Sequence, residues 1–225
     1  MMIRKWGSLP KWMQIPEVEK YYKYLRKKRC SLVLKRLFDV ILSVILLIVS
    51  APVMLMIAIM VLFDSRGGIF FRQKRVTSYG RIFRIHKFRT MRKGADSEGS
   101  ILARDEDERV TKLGRWLRKY RLDELPQLID VLAGNMSFVG PRPQSVEFVK
   151  HFSREARAVF LLPAGITSET TLRYLDEGSM LKDAEDIDEA YIREILPEKM
   201  ERQLDEMMHF SMLNDIKAIM HTIHL

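Results

Sequence analysis

From Val40 to Phe63 the chain runs without a charge through VILSVILLIVSAPVMLMIAIMVLF, with Pro52 near the middle and Lys and Arg crowded on both sides. About 20 apolar residues cross a bilayer as a helix, so this run is long enough to span one. The flanks complicate that reading. Lys20, Lys23, Arg26, Lys27, Lys28, Arg29, Lys35 and Arg36 precede the run, and Arg66, Arg72, Lys74, Arg75, Arg81, Arg84, Lys87 and Arg89 follow it. Cations beside a membrane segment favour the cytoplasmic side, and here both ends make the same demand. A straight span meets it at one end only; a helix that enters the bilayer, breaks and returns to the same face meets it at both. Pro52 supplies a cause for a break, because it has no N–H and its ring clashes with the carbonyl of Ile48. The Ser43 and Ser50 hydroxyls are the local groups able to satisfy backbone atoms freed in hydrocarbon. On physics alone a Pro-kinked span and a re-entrant hairpin stand even. A cleaved signal peptide is disfavoured by the long charged lead-in, the length of the run and a small-residue SAP that lies inside it.

Roughly 160 residues follow the run, enough for one compact domain with its own core. A net charge of +9 and a pI near 9.6 imply an anionic partner: nucleic acid, an acidic membrane surface or a phosphate-bearing substrate. The apolar run favours the last two. Cys30 is the only cysteine, so no intrachain disulfide or Cys-based zinc site can form, which suits a reducing compartment.

Along the chain, residues 1–34 read as a basic amphipathic extension, with a helix over Glu17–Arg29 suited to lie on headgroups or in solvent. IFFRQKRVTSYGRIFRIHKFRTM alternates apolar and basic residues around Tyr79-Gly80 and predicts a β-hairpin. A polar loop is expected over Asp96–Arg109, followed by helices over Val110–Tyr120 and Glu124–Leu132, with Pro126 in the first turn of the second. GNMSFVGPRP is a turn-rich connector. Helix is expected again over Gln144–Leu161, at the Asp186 segment, and as one amphipathic helix over Glu198–His224.

Asp123 and Glu124 follow Arg115, Arg118, Lys119 and Arg121 at the expected start of a helix. Adjacent carboxylates among cations are placed to hold a divalent metal against a polyphosphate. A helix N-terminus also favours the ionised carboxylate, leaving Asp123 available as a nucleophile toward phosphorus. An isolated Asp-Glu pair is more often a solvated charge pair at a helix start. Arg142, in a loop stiffened by Gly140, Pro141 and Pro143, adds a planar fork suited to phosphate.

KRLFDVIL, FRQKR, KFRTM, RVTKLGRWLRK, LDELPQL and MSFVGPRP, in this order and followed by GIT at Gly165, resemble the bacterial sugar transferases, the small monotopic polyprenyl-phosphate phosphoglycosyl transferases. The resemblance covers most of the chain after residue 34. It implies an α-rich α+β fold: a re-entrant membrane helix over 35–64, broken at Ser50 and Pro52, and a membrane-associated catalytic domain over 65–225 with a small hairpin and interfacial amphipathic helices. It further implies transfer of a sugar phosphate from a nucleotide sugar, usually a UDP-sugar, to undecaprenyl phosphate at the cytoplasmic face of the inner membrane. Asp123 would be the nucleophile and Glu124 a Mg²⁺ ligand beside it, with both carboxylates near the metal. Lys87, Arg89, Arg118 and Arg142 would contact phosphate or nucleotide. Membrane lipids are implied partners, nucleic acid is not, and homo-oligomerisation is left open. The competing class is a non-enzymatic membrane anchor that binds acidic lipid or nucleic acid through its charge.

The chain departs from the family pattern in several places. Ala51 stands where Ser often precedes the proline, and SETTLRYLDEGSM after Thr167 replaces a common GWAQVNGR. The transferred sugar is therefore not inherited, and Arg173 is a candidate contact in that loop. His86 reads as a packing or surface residue, the methionines from Met200 to Met220 as core or membrane contacts, and Asp183–Glu189 as a solvated acidic face.

Overall fold

A computed structural model describes residues 3–95, 100, 107–175, 180–181 and 184–224. Two short 3-10 turns lead to α1 (Pro16–Lys27), with Pro16 in the first turn where its missing N–H costs nothing. Next comes α2 (Arg29–Asp64), then β1 (Phe70–Phe71), β2 (Lys74–Val76), β3 (Ile82–Arg84) and β4 (Lys87–Phe88). The remainder comprises α3 (Lys112–Lys119), α4 (Gln127–Leu132), β5 (Met136–Val139), β6 (Gln144–Ser145), α5 (Val146–Val149), β7 (Ala164–Thr167), α6 (Glu169–Arg173), α7 (Ile187–Ala190), α8 (Leu196–Met208) and α9 (Met212–Ile223).

The N-terminal extension does not lie outward on its apolar face. Val18, Tyr21, Tyr22 and Leu25 form one stripe of α1 and are buried with Phe148, Phe160, Tyr191, Met200 and Leu204. Trp6 packs on Tyr22 and Trp12 sets its edge against Phe160, at 5.0 and 5.9 Å between centroids. A stripe of this kind can be buried by a bilayer or by a protein core, and helical periodicity does not distinguish the two. Leu25 is 0% exposed, so Leu25→Ala is expected to remove about 2–5 kcal/mol of stability, read as a fall in thermal midpoint. An unchanged midpoint would mean that α1 is not docked.

Helix α2 runs through Pro52 as 36 residues. Before the proline, Lys35 pairs with Asp215 of α9 at 2.5 Å, Arg36 donates to the Val131 and Leu132 carbonyls at the end of α4, and Asp39 accepts from the Phe138 N–H of β5. Leu42, Leu46 and Leu47 press on Phe83, Ile85, Leu128 and Val131. After it, Met54, Ile57, Ala58 and Val61 pack against Phe88, Leu117, Leu122 and Leu125. Both flanks of Pro52 thus dock on the same body, while Ile48 and Val49 between them are each 70% exposed. The serines do not serve the Ile48 carbonyl. Ser50 Oγ donates to Leu46 and Ser43 Oγ to Val40, because a helical serine reaches only the carbonyls three or four residues back.

The expected hairpin forms and is longer than its strands suggest. Phe70 pairs with Phe88, Phe71 with Lys87, Lys74 with Arg84 and Val76 with Ile82, all in one register. In the gap the Ile85 N–H donates to the Gln73 carbonyl at 3.0 Å. Tyr79 and Gly80 turn the tip at φ 60° and 74°. Strand β6 joins β2. A parallel pair, β5 with β7, was not visible in the sequence. It needs glycine at the crossing, since a Cβ on Gly165 would lie 2.2 Å from the Gly140 nitrogen.

Three helices differ from expectation. Gln144–Leu161 is not continuous: Gln144 and Ser145 are strand, Ser145 caps α5, and a 3-10 segment covers Glu155–Leu161. Glu198–His224 is two helices, broken where Phe210 turns into the core and Ser211 caps α9. The helix expected from Glu124 begins at Gln127, with Pro126 as its N-cap residue. Most of the expected Asp96–Arg109 loop lies outside the described residues, as does Asp183 of the acidic run. Asp186 in that run caps α7 by accepting from the Asp188 and Glu189 N–H groups.

Candidate active site

Asp123 and Glu124 sit on a 3-10 turn, Leu122–Glu124, between α3 and α4. Arg121, at φ 54°, ends the path of α3 and throws the turn inward. The two carboxylates are therefore not at the N-terminus of a regular helix, and burial governs them more than a helix dipole does.

The hairpin brings Lys87 to the pair. Its Nζ donates to Glu124 Oε1 at 2.6 Å, and Arg142 Nη2, from the loop after β5, lies 3.4 Å from the same oxygen. Burial pushes the Glu124 carboxyl up, but the Lys87 and Arg142 charges outweigh it and hold the group well below the usual carboxylate range. Asp123 goes the other way. It is 7% exposed; burial and the Glu124 charge push its carboxyl above the ordinary value against the opposing pull of Lys87 and Arg118. Like charges in a low-dielectric site separate in this manner, one held ionised and the other raised. No other side chain among the described residues hydrogen-bonds Asp123; its carboxylate accepts from its own backbone N–H. A buried carboxylate whose pKa is moved by burial and by named neighbouring charges is a candidate functional group.

Arg118 stands at the end of α3 with its Nε donating to Thr90 Oγ1 at 2.9 Å. Burial lowers its pKa, and the Asp123 charge opposes that. Lys87, Arg118, Arg142 and the two carboxylates thus converge. Arg89 does not join them: its Nη2 donates to the Val61 and Ser65 carbonyls, tying the hairpin to the C-terminal end of α2. Strand β4 ends at Phe88, so Arg89 lies beyond it and strand alternation does not fix its side chain on the face of Lys87. Arg173 is exposed on α6, beside Glu201 and Arg202 in a separate groove, and touches none of the site residues.

His86 was expected to be a packing or surface residue and proves to be half of a clamp. Its backbone N–H donates to Asp130 Oδ2 at 2.8 Å, and its Nδ1 lies 3.0 Å from Asp130 Oδ1. Asp130 is 0% exposed. The contact fixes the strand next to Lys87 against α4. The signal available in the sequence was a carboxylate inside the otherwise apolar LIDVL.

The donor set suits a hard divalent cation. One Glu124 oxygen is held by Lys87, while its other oxygen and both of Asp123 carry no hydrogen bond from another residue among those described. Mg²⁺ is commonly bound by one or two carboxylates completed by substrate phosphates.

The family model described as bacterial sugar transferase matches residues 30–225. Among curated proteins, the chain is 33% identical over 192 residues to the UDP-glucose:undecaprenyl-phosphate glucose-1-phosphate transferase of Caulobacter vibrioides, covering 84% of this chain and 68% of that one. It is 43% identical over 122 residues to the UDP-N-acetylgalactosamine-undecaprenyl-phosphate N-acetylgalactosaminephosphotransferase of Aeromonas hydrophila, covering 54% and 29%. With a Klebsiella pneumoniae UDP-glucose:undecaprenyl-phosphate glucose-1-phosphate transferase it shares 45% over 116 residues, covering 52% and 25%. The matched stretch is thus under a third of the length of the last two relatives.

Proposed function

Because the chain belongs to the bacterial sugar transferase family, we propose that it transfers a sugar 1-phosphate from a UDP-sugar to undecaprenyl phosphate. The observation that carries the proposal is the buried carboxylate of Asp123, which no other described side chain hydrogen-bonds, between the charges of Lys87 and Arg118 and beside a Glu124 held by Lys87 and Arg142. An Asp123 oxygen attacks the β-phosphorus, the bond from that phosphorus to the bridging oxygen breaks, and UMP leaves with the electron pair. The sugar phosphate stays on Asp123 as an ester. An oxygen of the lipid phosphate then displaces Asp123 from the same phosphorus, giving polyprenyl-diphosphate sugar and the free carboxylate. Arg118 and Arg142 hold phosphate oxygens; Lys87 keeps Glu124 ionised and fixed. Mg²⁺, held by Asp123 and Glu124, would offset the charge of the diphosphate.

The acceptor phosphate is confined to the headgroup plane, so the reaction belongs at that depth. Supporting this are the docking of both flanks of α2 on one body and the exposure of apolar side chains on helices around it: Trp116 on α3 and Tyr120 at its C-cap, Ile129 and Leu132 on α4, and Leu213, Ile216, Met220 and Ile223 on α9. These would rest in the interface while α2 re-enters the inner membrane from the cytoplasmic side. Cys30 is exposed, and with an added Asp64→Cys the two thiols are expected to label from the same side; labelling from opposite sides would restore a span.

The direct test is a screen of UDP-glucose, UDP-galactose and their N-acetylated counterparts for UMP release with undecaprenyl phosphate and Mg²⁺. One donor is expected to release UMP in step with lipid product. Salt-sensitive binding of RNA with no UMP from any donor would support the anchoring module instead.

A further inference from the structure

We propose that the cleft between the C-terminal end of α2 and the start of α3 binds the headgroup phosphate of an anionic phospholipid. The cleft encloses about 480 Å³ and is walled by Asp64, Ser65, Arg66, Arg92, Lys93 and Lys112. All four cations are exposed, and among the described residues none of them forms an ion pair. Four cations lining one cleft with a single carboxylate repel one another, and an anion between them relieves the repulsion. Helix α3 opens on the same cleft with Thr111 as its N-cap, adding the positive end of its dipole.

The surroundings select a lipid. Ile59, Met60, Leu62 and Phe63 immediately precede Asp64 and are exposed, Phe63 by 87%. An apolar shoulder therefore runs directly into the cationic cleft, the order in which a phospholipid presents acyl chain and phosphate. The cleft shares no residue with Lys87, Arg118, Asp123, Glu124 and Arg142, so the bound phosphate is a resident one rather than a reacting one. It would hold the returning end of α2 at a fixed depth.

Native mass spectrometry of the detergent-solubilised full chain tests this, with phosphatidylglycerol and phosphatidylcholine of matched acyl chains. Phosphatidylglycerol is expected to be retained over phosphatidylcholine, and Arg92→Gln/Lys93→Gln/Lys112→Gln is expected to weaken its retention roughly tenfold or more. The control Arg26→Gln/Lys27→Gln, which neutralises exposed cations of α1, should leave it unchanged; matching circular dichroism melts show that both variants fold. Equal retention of the two lipids, or an equal loss in the control, would overturn the proposal. Displacement of phosphatidylglycerol by the same concentration of inorganic phosphate would overturn it too, marking a site for free anion.

Discussion

Replacing Asp123 with Asn is expected to stop transfer and at the same time to raise the melting temperature. Removing a catalytic nucleophile costs several orders of magnitude, roughly 10⁴ to 10⁶ in turnover, and no sugar-phosphate adduct should be detectable by intact mass. Stability moves the opposite way. Burial raises the Asp123 carboxyl above its unfolded value, and a group shifted up contributes stability that is complete below its unfolded pKa and lost as pH rises through the folded one. At neutral pH the ionised carboxylate therefore weakens the fold, and a neutral amide of the same shape does not. The midpoint difference between the two proteins should shrink as pH falls toward the acid range. A variant with near-normal turnover and an unchanged melt would take Asp123 out of this role.

Lys87→Met has the next largest expected effect, and it falls on stability first. It removes the 2.6 Å partner of Glu124, whose side chain is only 12% exposed, and leaves Arg142 at 3.4 Å. Stripping one partner from a buried ion pair costs about 3–5 kcal/mol, and the remaining arginine places this case at about 3. The pH dependence has the opposite sign to that of Asp123. Glu124 is held below its unfolded value, so its contribution is present above that value and lost as pH falls through the folded pKa. Without Lys87, acid unfolding should begin at a higher pH. Chemical denaturation across an acid series checks this. Lys87→Met/Glu124→Gln should recover most of the lost stability, though not the activity; failure to recover it would show that Lys87 acts through packing alone.

The sequence exposed those parts of the molecule whose cause is local. The uncharged Val40–Phe63 run is a composition effect, and the Tyr79-Gly80 tip needs a left-handed backbone that few residues accept, so both could be read directly. Asp123, Glu124, Lys87, Arg118 and Arg142 were named from motifs, and all converge. Features decided by competition between distant surfaces were not legible. The α1 stripe of Val18, Tyr21, Tyr22 and Leu25 suits either a bilayer or a core, and only the presence of Phe160, Tyr191 and Leu204 opposite it settles the matter. The β5 and β7 strands are four residues each and lie far apart in the chain, so no turn announces their pairing. The KFRTM resemblance alone implies a phosphate contact for Arg89; its observed hydrogen bonds to the Val61 and Ser65 carbonyls depend on where α2 ends in space. The 3-10 turn under Asp123 follows from the left-handed Arg121, a backbone state that side-chain type does not advertise.

The single register from Phe70–Phe88 to Val76–Ile82 has a consequence for how such chains can change length. The tip of this ribbon is gripped by the N-terminal segment: Arg4 lies over the Tyr79 ring at 4.4 Å, and Trp12 fills the space a side chain at Gly80 would need. Its base presents Lys87 to Glu124. With both ends pinned, one residue gained or lost in either strand would turn Lys87 to the far side of the ribbon. Length variation is therefore tolerable in loops that end free, whereas these two strands act as a fixed count, and the Lys87–Glu124 ion pair is where a miscount would register.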